Sequence, residues 1–551
     1  SDQVTNNGTI SGTVINPEWD LGDGDDVFSN YGTVEAEVQI DLGADEDTLN
    51  INSGSIQGTV TLDAAGENDF LTVASGATLA GSALMGDGAN QISINGLLGP
   101  SGAVTAGAGV DTLIIGSTGD IQGDIDLGAG NNIVQLDGTL SSTGSLAVGG
   151  GNDSLTLGST GRLYAATSLA GGTDTLNVLS GALIFADIAT GADADDVTLA
   201  GSLLSGANIL TESGNDTFTL SATGEIASGG SVGLGEDADQ ATVFGDIHGI
   251  LNLDEGADTA VWDSDSSSVT GRFLGGEQSA AAVDANLEID EVRLFGSGGE
   301  LVDLNLTGGR FEQWEHLTVN EGDWVLNNGG VDEDDLVTLQ IEGGSFTIPV
   351  GDQLTPDTVE LLNGDLHVDG VLDAANGVDM SDGVLTGTGV FVGDVSVADG
   401  TISPETVGEE GELRIDGDLS LGEDVELIMD VDPVTGEADR LIVTGELTTT
   451  NTKLTVDGNA GGAEDQDFVV IDAGTIDGDL TIDDTATLDF DLTIDPVTGD
   501  VSIKVNPNYD NAGGNDGDNT DNQNDTRQGI ADAVDEGTID EDLLDALDDV
   551  E

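Results

Sequence analysis

Acidic side chains recur at a nearly constant interval. Aspartate or its amide stands at Asp26, Asp47, Asp69, Asn90, Asp111, Asn132, Asp153, Asp174, Asp195, Asp216, Asp239 and Asp258, at successive spacings of 21, 22, 21, 21, 21, 21, 21, 21, 21, 23 and 19. If segments one interval apart lie on top of each other, the carboxylates form a column with a pitch of about 4.8 Å. Two like charges at that distance repel by about 0.9 kcal/mol in bulk water, and by several times more at an effective dielectric near 20. The column therefore needs counter-ions, raised pKa values or splayed side chains. Calcium is the best-suited cation, because it takes six to eight oxygens from carboxylates and carbonyls in flexible geometry. Asp26, Asp47, Asp69, Asp111, Asp153, Asp174, Asp195 and Asp216 are the candidate ligands.

Other chemistry is poorly supported. Gly229-Gly230-Ser231-Val232-Gly233 matches Gly-x-Ser-x-Gly but lacks the strand-to-helix context of a nucleophile elbow. The histidines His248, His316 and His367 lack metal-ligand spacing. Carboxylates are so abundant that no acid/base pair stands out. Cysteine is absent, which removes disulfide and thiol chemistry. The net charge of −98, from 107 acidic and 9 basic residues, argues against nucleic acid and anionic membrane surfaces as partners. The first basic residue is Arg162. Such a charge suits a hydrated surface in saline or extracellular water.

The strings Gly107-Ala108-Gly109-Val110-Asp111 and Gly150-Gly151-Asn152-Asp153-Ser154-Leu155 resemble the Gly-Gly-x-Gly-x-Asp-x-apolar nonapeptide of RTX calcium-binding β-rolls. Here the motif comes once per interval rather than every nine residues. An ion would thus sit between neighbouring coils or at the surface.

The elements that must position the column are short strands. Within one interval apolar residues alternate, as at Leu49 and Ile51, then Ile56, Val60 and Leu62 after the Ser53-Gly54 corner. A 21-residue unit of two or three such strands cannot bury its apolar face alone, so coils must stack. The spacing predicts an all-β fold, a right-handed parallel β-helix of about 21-residue coils around a narrow core. Twelve coils would extend about 55–60 Å. The 84 glycines suit tight corners, and aromatics at 3% suit a thin interior. No apolar run is long enough to span a bilayer as a helix. The opening SDQVTNNGTISGTV already has the character of a coil, which fits removal of an export leader.

The chain divides into a regular repeat over 1–262, a less regular stretch over 263–345, a C-terminal β-helix over 346–505, and an acidic tail over 506–551. The second stretch holds a polar loop at Ser264–Ser268, the run Ala280-Ala281-Ala282 and two large aromatics, Trp314 and Trp324. These aromatics either fill a wider coil or form a sugar-stacking platform. The string FEQWEHLTVNEGDWVLNNG (Phe311–Gly329) and the run from Gly383 to Val456 resemble passenger domains of bacterial autotransporters. Gly387 and Gly389, Ser403-Pro404, Leu413-Arg414-Ile415 and Asp439-Arg440-Leu441-Ile442-Val443-Thr444-Gly445 carry the resemblance, with Glu405 where the family commonly has glycine. It covers roughly 300–505 and implies a passenger displayed outside the cell, next to an outer-membrane translocator barrel. No barrel strands follow. Either the passenger is cleaved from its barrel, or the sequence stops before it, or the tail docks on a neighbouring subunit. The tail itself reads as a flexible polar linker to about 525, then one or two short helices around Ile530, Val534, Leu543, Leu544 and Leu547.

The function expected from these features is an exported structural or adhesive protein at the cell surface, without enzymatic activity. It has a candidate host or glycan ligand, and uncapped coil ends invite assembly into an oligomer, layer or filament. The alternatives are a calcium-binding RTX-like module and a polysaccharide-active β-helix enzyme. The scarcity of basic residues counts against the enzyme.

Overall fold

A computed structural model describes residues 1–12, 18–62, 66–276, 289–302, 304, 310–328, 336–405, 411–433, 435–458, 466–483, 488–495 and 497–507. The tail calls at Ile530, Val534, Leu543, Leu544 and Leu547, and the Ala280–Ala282 run, lie outside these residues. The chain forms two compact units, one comprising Ser1–Gly296 and Gly308–Trp314, the other Ser297–Thr307 and everything from Glu315 onward. No described residue is helical, and the fold is the all-β parallel β-helix anticipated from the spacing.

In the first unit each coil has three strands. The coil of Asp111 supplies Thr112–Ile115, Asp120–Ile121 and Asp124–Asp126. Each strand pairs in parallel with its equivalents in the coils before and after. Gln91, Thr112 and Ile133 share one rung, Leu97, Asp120 and Thr139 a second, and Ala103, Asp124 and Ser145 a third. Three parallel sheets thus enclose one core, and the alternation has its physical basis there. Leu113, Ile115, Ile121, Ile125 and Leu127 are buried, while Thr112, Ile114, Asp120 and Asp124 face out. One inward column runs Leu49, Leu71, Ile92, Leu113, Val134, Leu155, Leu176, Val197, Phe218 and Ala241, all buried. Large and small residues alternate near its end, where Ala241 makes room for Phe218 in the neighbouring coil. Each full burial is worth about 1.5–3 kcal/mol.

Corners set the register. Gly149 has φ +99°, and a Cβ there would meet the Gly128 carbonyl oxygen at 1.5 Å. Only glycine permits both the left-handed backbone and that approach. The coil that begins with Thr259–Asp263 is longer than the others: Arg272–Leu274 keeps its place in the third sheet beside Ile250–Asn252, and Glu291–Phe295 then takes the next place in the first sheet beside Thr259–Asp263. Trp314 is completely buried here. Its indole lies edge-on to Phe273 with ring centres 5.2 Å apart, and its Nε1–H donates to the Phe273 carbonyl.

The second unit keeps the parallel stack with shorter coils. Thr338 pairs with Thr358, 20 residues on, and Asp365 with Val384, 19 on. Trp324 is also completely buried, its indole N–H donating to the Glu321 carbonyl at 2.7 Å. Both tryptophans fill coils, so neither serves as a sugar-stacking platform. Strands lengthen toward the end, to Leu419–Asp432, Arg440–Gly458 and Gln466–Ile482. The stack then stops being parallel. Asp500–Pro507 runs antiparallel to both Leu488–Asp495 and Gln466–Ile482, which departs from the all-parallel expectation for 346–505. A hairpin covers the open edge of Gln466–Asp472 with backbone partners that a further coil would otherwise supply.

Candidate functional site

The repeated aspartates form one column along the first unit. Each lies in the turn between the third sheet and the first. It ends a double left-handed bend that glycine usually makes, although Asp45, Asp193 and Asp237 adopt positive φ two residues before a ladder position. The side chains point inward and are at most 2% exposed. Their hydrogen bonding is uniform. The backbone N–H of Asp26 donates to Oδ1 of Asp47 at 2.7 Å, that of Asp47 to Asp69 at 2.8 Å, and that of Asp69 to Asn90 at 3.0 Å. Asn90 donates to Asp111 and Asp111 to Asn132, both at 2.9 Å, and Asn132 donates to Asp153 at 2.6 Å. The pattern continues through Asp174, Asp195, Asp216, Asp239 and Asp258 at 2.6–2.7 Å. It ends one rung further than the spacing showed, where Asp258 donates to Asp290 at 2.9 Å. The 32-residue gap to Asp290 hides that rung from a period of 21.

One oxygen of each carboxylate is therefore spent on the neighbouring coil. The second oxygens of Asp26, Asp153, Asp174, Asp239 and Asp258 are buried without a hydrogen-bond donor. At Asn132 the equivalent position is an amide nitrogen, which donates to the Val148 carbonyl at 2.8 Å. Electrostatics follow. Burial, the largest cause, raises Asp153 and Asp216 to about 6, Asp174 to about 7, Asp239 to about 8 and Asp258 to about 9. Neighbouring carboxylates push the last four further up, and the N–H of the preceding rung opposes both. Burial raises Asp111 and Asp195 as well.

Two chemical states satisfy such a rung. A proton can neutralise the carboxyl, which then resembles the natural Asn rungs. Alternatively, a hard cation can take the second oxygen together with backbone carbonyls. Among the described residues no three His, Cys, Asp or Glu converge as a metal cluster. A cation would hence draw one carboxylate oxygen per coil and the rest from the backbone, a donor set compatible with calcium's preference for oxygen.

A second, exposed ladder lies outside the first. The N–H of Ala89 donates to Asn68, Ala108 to Asp87, Asn152 to Asn131, Thr173 to Asn152 and Ala238 to Asn215, at 2.7–3.2 Å. Here each coil donates back to the one before it, opposite in sense to the buried column. The signal was present in the sequence as an amide immediately before the ladder residue, at Asn68, Asn131, Asn152 and Asn215.

The remaining candidates are not brought together. Ser231 lies on the outer face of the strand Ser231–Gly233, and its hydroxyl donates to Asn208, not to a histidine. His248 meets Thr270 in the first unit. In the second, His316 and His367 lie on different strands, and His367 sits between Asp369 and Thr386.

This is a parallel β-solenoid with an internal aspartate spine. No family model matches the chain, and no curated protein does. Among solved structures, "a hyperactive, Ca2+-dependent, beta-helical antifreeze protein from an Antarctic bacterium" is similar at 20% identity, covering 63% of this chain and 83% of that one, with a TM-score of 0.29. At that score the match assigns this chain neither ligand nor activity.

Proposed function

We propose that this protein is an exported, non-catalytic structural and adhesive β-solenoid of a bacterial surface. The observation that carries the reading is the fate of its repeated polar residue. Twelve aspartates and asparagines that could have faced substrate are turned inward and spent on joining coils. Chemistry invested in every coil serves length and rigidity. The acidic exterior keeps such a solenoid soluble in salty water, and the autotransporter-like pattern over 300–505 supports export. Electron microscopy of the native protein tests assembly, with ordered layers or filaments expected. Isolated short particles at all concentrations would remove the self-assembling variant, and a glycan-depolymerisation screen that finds turnover would remove the non-catalytic reading.

A second reading, calcium loading of the spine, is favoured by the donorless buried oxygens of Asp153, Asp174, Asp239 and Asp258. Chelation is then expected to lower the melting midpoint at neutral pH. A transition unmoved by chelator and by added calcium would end that reading and leave the structural one intact.

A further inference from the structure

The second unit contains a groove of about 340 Å³ built across three successive coils. Its plan follows from register. Gln353 pairs with Val371, and Val371 with Val390. The preceding residues therefore form a parallel column, Asp352, Gly370 and Gly389, tied by Val371 N–H to the Asp352 carbonyl and Val390 N–H to the Gly370 carbonyl, both at 3.0 Å. One position earlier again come Asp369 and Thr388. The groove thus has a floor with a single side chain, Asp352, because its next two rungs are glycines. A Cβ at Gly370 would strike the Asp352 carbonyl oxygen at 2.2 Å, so the floor stays bare. One wall is polar, with Asp369 and Thr388, and the other carries Gln353 and two valines.

The two carboxylates differ. Asp369 is held in place. Its Oδ1 accepts the Thr388 N–H at 3.1 Å and the Thr388 hydroxyl at 3.0 Å, and its Oδ2 lies 3.0 Å from Nε2 of His367. The other nitrogen of His367 lies 2.8 Å from the Thr386 hydroxyl. Burial alone would raise Asp369, but the Thr388 N–H and His367 outweigh it and hold the carboxyl below its ordinary value. Asp352 is the opposite case. It is only 8% exposed and lines the groove, and among the described residues no side-chain hydrogen bond or ion pair engages its carboxylate. A carboxylate that lines a groove without a donor from the protein is left to take one from a ligand.

We propose that this groove binds an amino sugar, with the ammonium group between the carboxylates of Asp352 and Asp369 and the apolar ring face against Val371 and Val390. Charge selects the cation, since an ammonium supplies three donors and no acceptor to a site rich in acceptors. Gln353 and Thr388 offer the amide and hydroxyl contacts that sugar hydroxyls need. The volume lies at the small end of ligand sites, as a single sugar unit requires. The His367–Asp369–Thr388 chain is a positioning device that fixes one carboxylate before the ligand arrives. The inference supplies a ligand class to the adhesive reading, yet it does not depend on assembly or on calcium in the spine.

The test uses the full chain and glucosamine, with glucose and N-acetylglucosamine as uncharged comparators. Selective histidine labelling gives three imidazole signals, assigned by single substitutions, and His367 reports on the groove. Glucosamine is expected to shift the His367 signal and to release heat in calorimetry, with at least tenfold weaker binding in Asp352→Asn. Gln353→Ala, at a half-buried wall position, is expected to weaken binding several-fold with little change in the melt. The wild-type shift needs no variant, so a misfolded Asp352→Asn does not rescue or sink the case. Equal responses to glucosamine and N-acetylglucosamine would overturn the proposal, as would no response to either. A His367 shift produced by calcium chloride and not by glucosamine would also overturn it, in favour of a metal site. None of these outcomes bears on whether the protein forms layers.

Discussion

Replacing Asp174 by asparagine isolates the electrostatics of the spine. The rung is buried, its Oδ1 accepts the Asp153 N–H at 2.6 Å, and its second oxygen has no donor. Burial first, then Asp195, Asp153 and Asp193, raise its pKa from 3.8 to about 7. The sign follows from proton counting. Between those two values the folded chain keeps a proton that the unfolded chain has lost, so stability falls as pH rises across that window. Below 3.8 both states are protonated, and the full contribution is present. At about 1.36 kcal/mol per pH unit, a window of 7 − 3.8 costs about 4 kcal/mol by pH 7.5. Asparagine keeps the oxygen and replaces the acid with an amide, as Asn132 already does with its 2.8 Å bond to a backbone carbonyl. We therefore expect Asp174→Asn to stabilise its coil in chelator at pH 7.5, by up to about 4 kcal/mol, and to change little at pH 4. Because long repeat arrays do not unfold in one step, the assay is amide exchange. Protection of the Asp153 N–H should rise by up to about three powers of ten at pH 7.5, since each decade is about 1.4 kcal/mol. An equal gain at both pH values, or a loss at pH 7.5 in chelator, would show that a buried charge does not weaken this rung.

Asn132→Asp joins Asp111 to the run from Asp153 and deletes the bond to Val148, so it should lose stability progressively between pH 4 and 7, read as a falling melting midpoint. Gly149→Ala should cost its coil about 1–3 kcal/mol or more by amide exchange, because the residue has φ +99° and an added Cβ would lie 1.5 Å from the Gly128 oxygen. Leu113→Ala, buried between Ile92 and Val134, should cost about 2–5 kcal/mol in the same assay.

Much of the fold could be read from the chain because a solenoid makes one local decision many times. The 21-residue interval, the alternation of Leu113 and Ile115 with Thr112 and Ile114, and the glycine corners each repeat the same constraint. Errors in one coil are corrected by the next. The candidate site was only half legible. That the aspartates share a column follows from their spacing, but nothing in the spacing says which way a turn residue points. The rung at Asp290 lay behind an insertion. The groove beside Asp352 was invisible, because Gly370 and Gly389 matter there for the side chains they lack, and their relation to Asp352 exists only once coils of 18 and 19 residues are laid in register.

Sequence alone thus determined the strand period, the parallel stacking, the acidic exterior and the column of aspartates, since each is a pattern in one dimension that a repeating coil copies into space. Tertiary structure decided that those carboxylates face the core and spend one oxygen on the next coil, that Trp314 and Trp324 are interior, and that the final strands turn antiparallel. Those outcomes depend on what each group meets after stacking. Burial and hydrogen-bond satisfaction are properties of neighbours in space, which the order of residues does not contain.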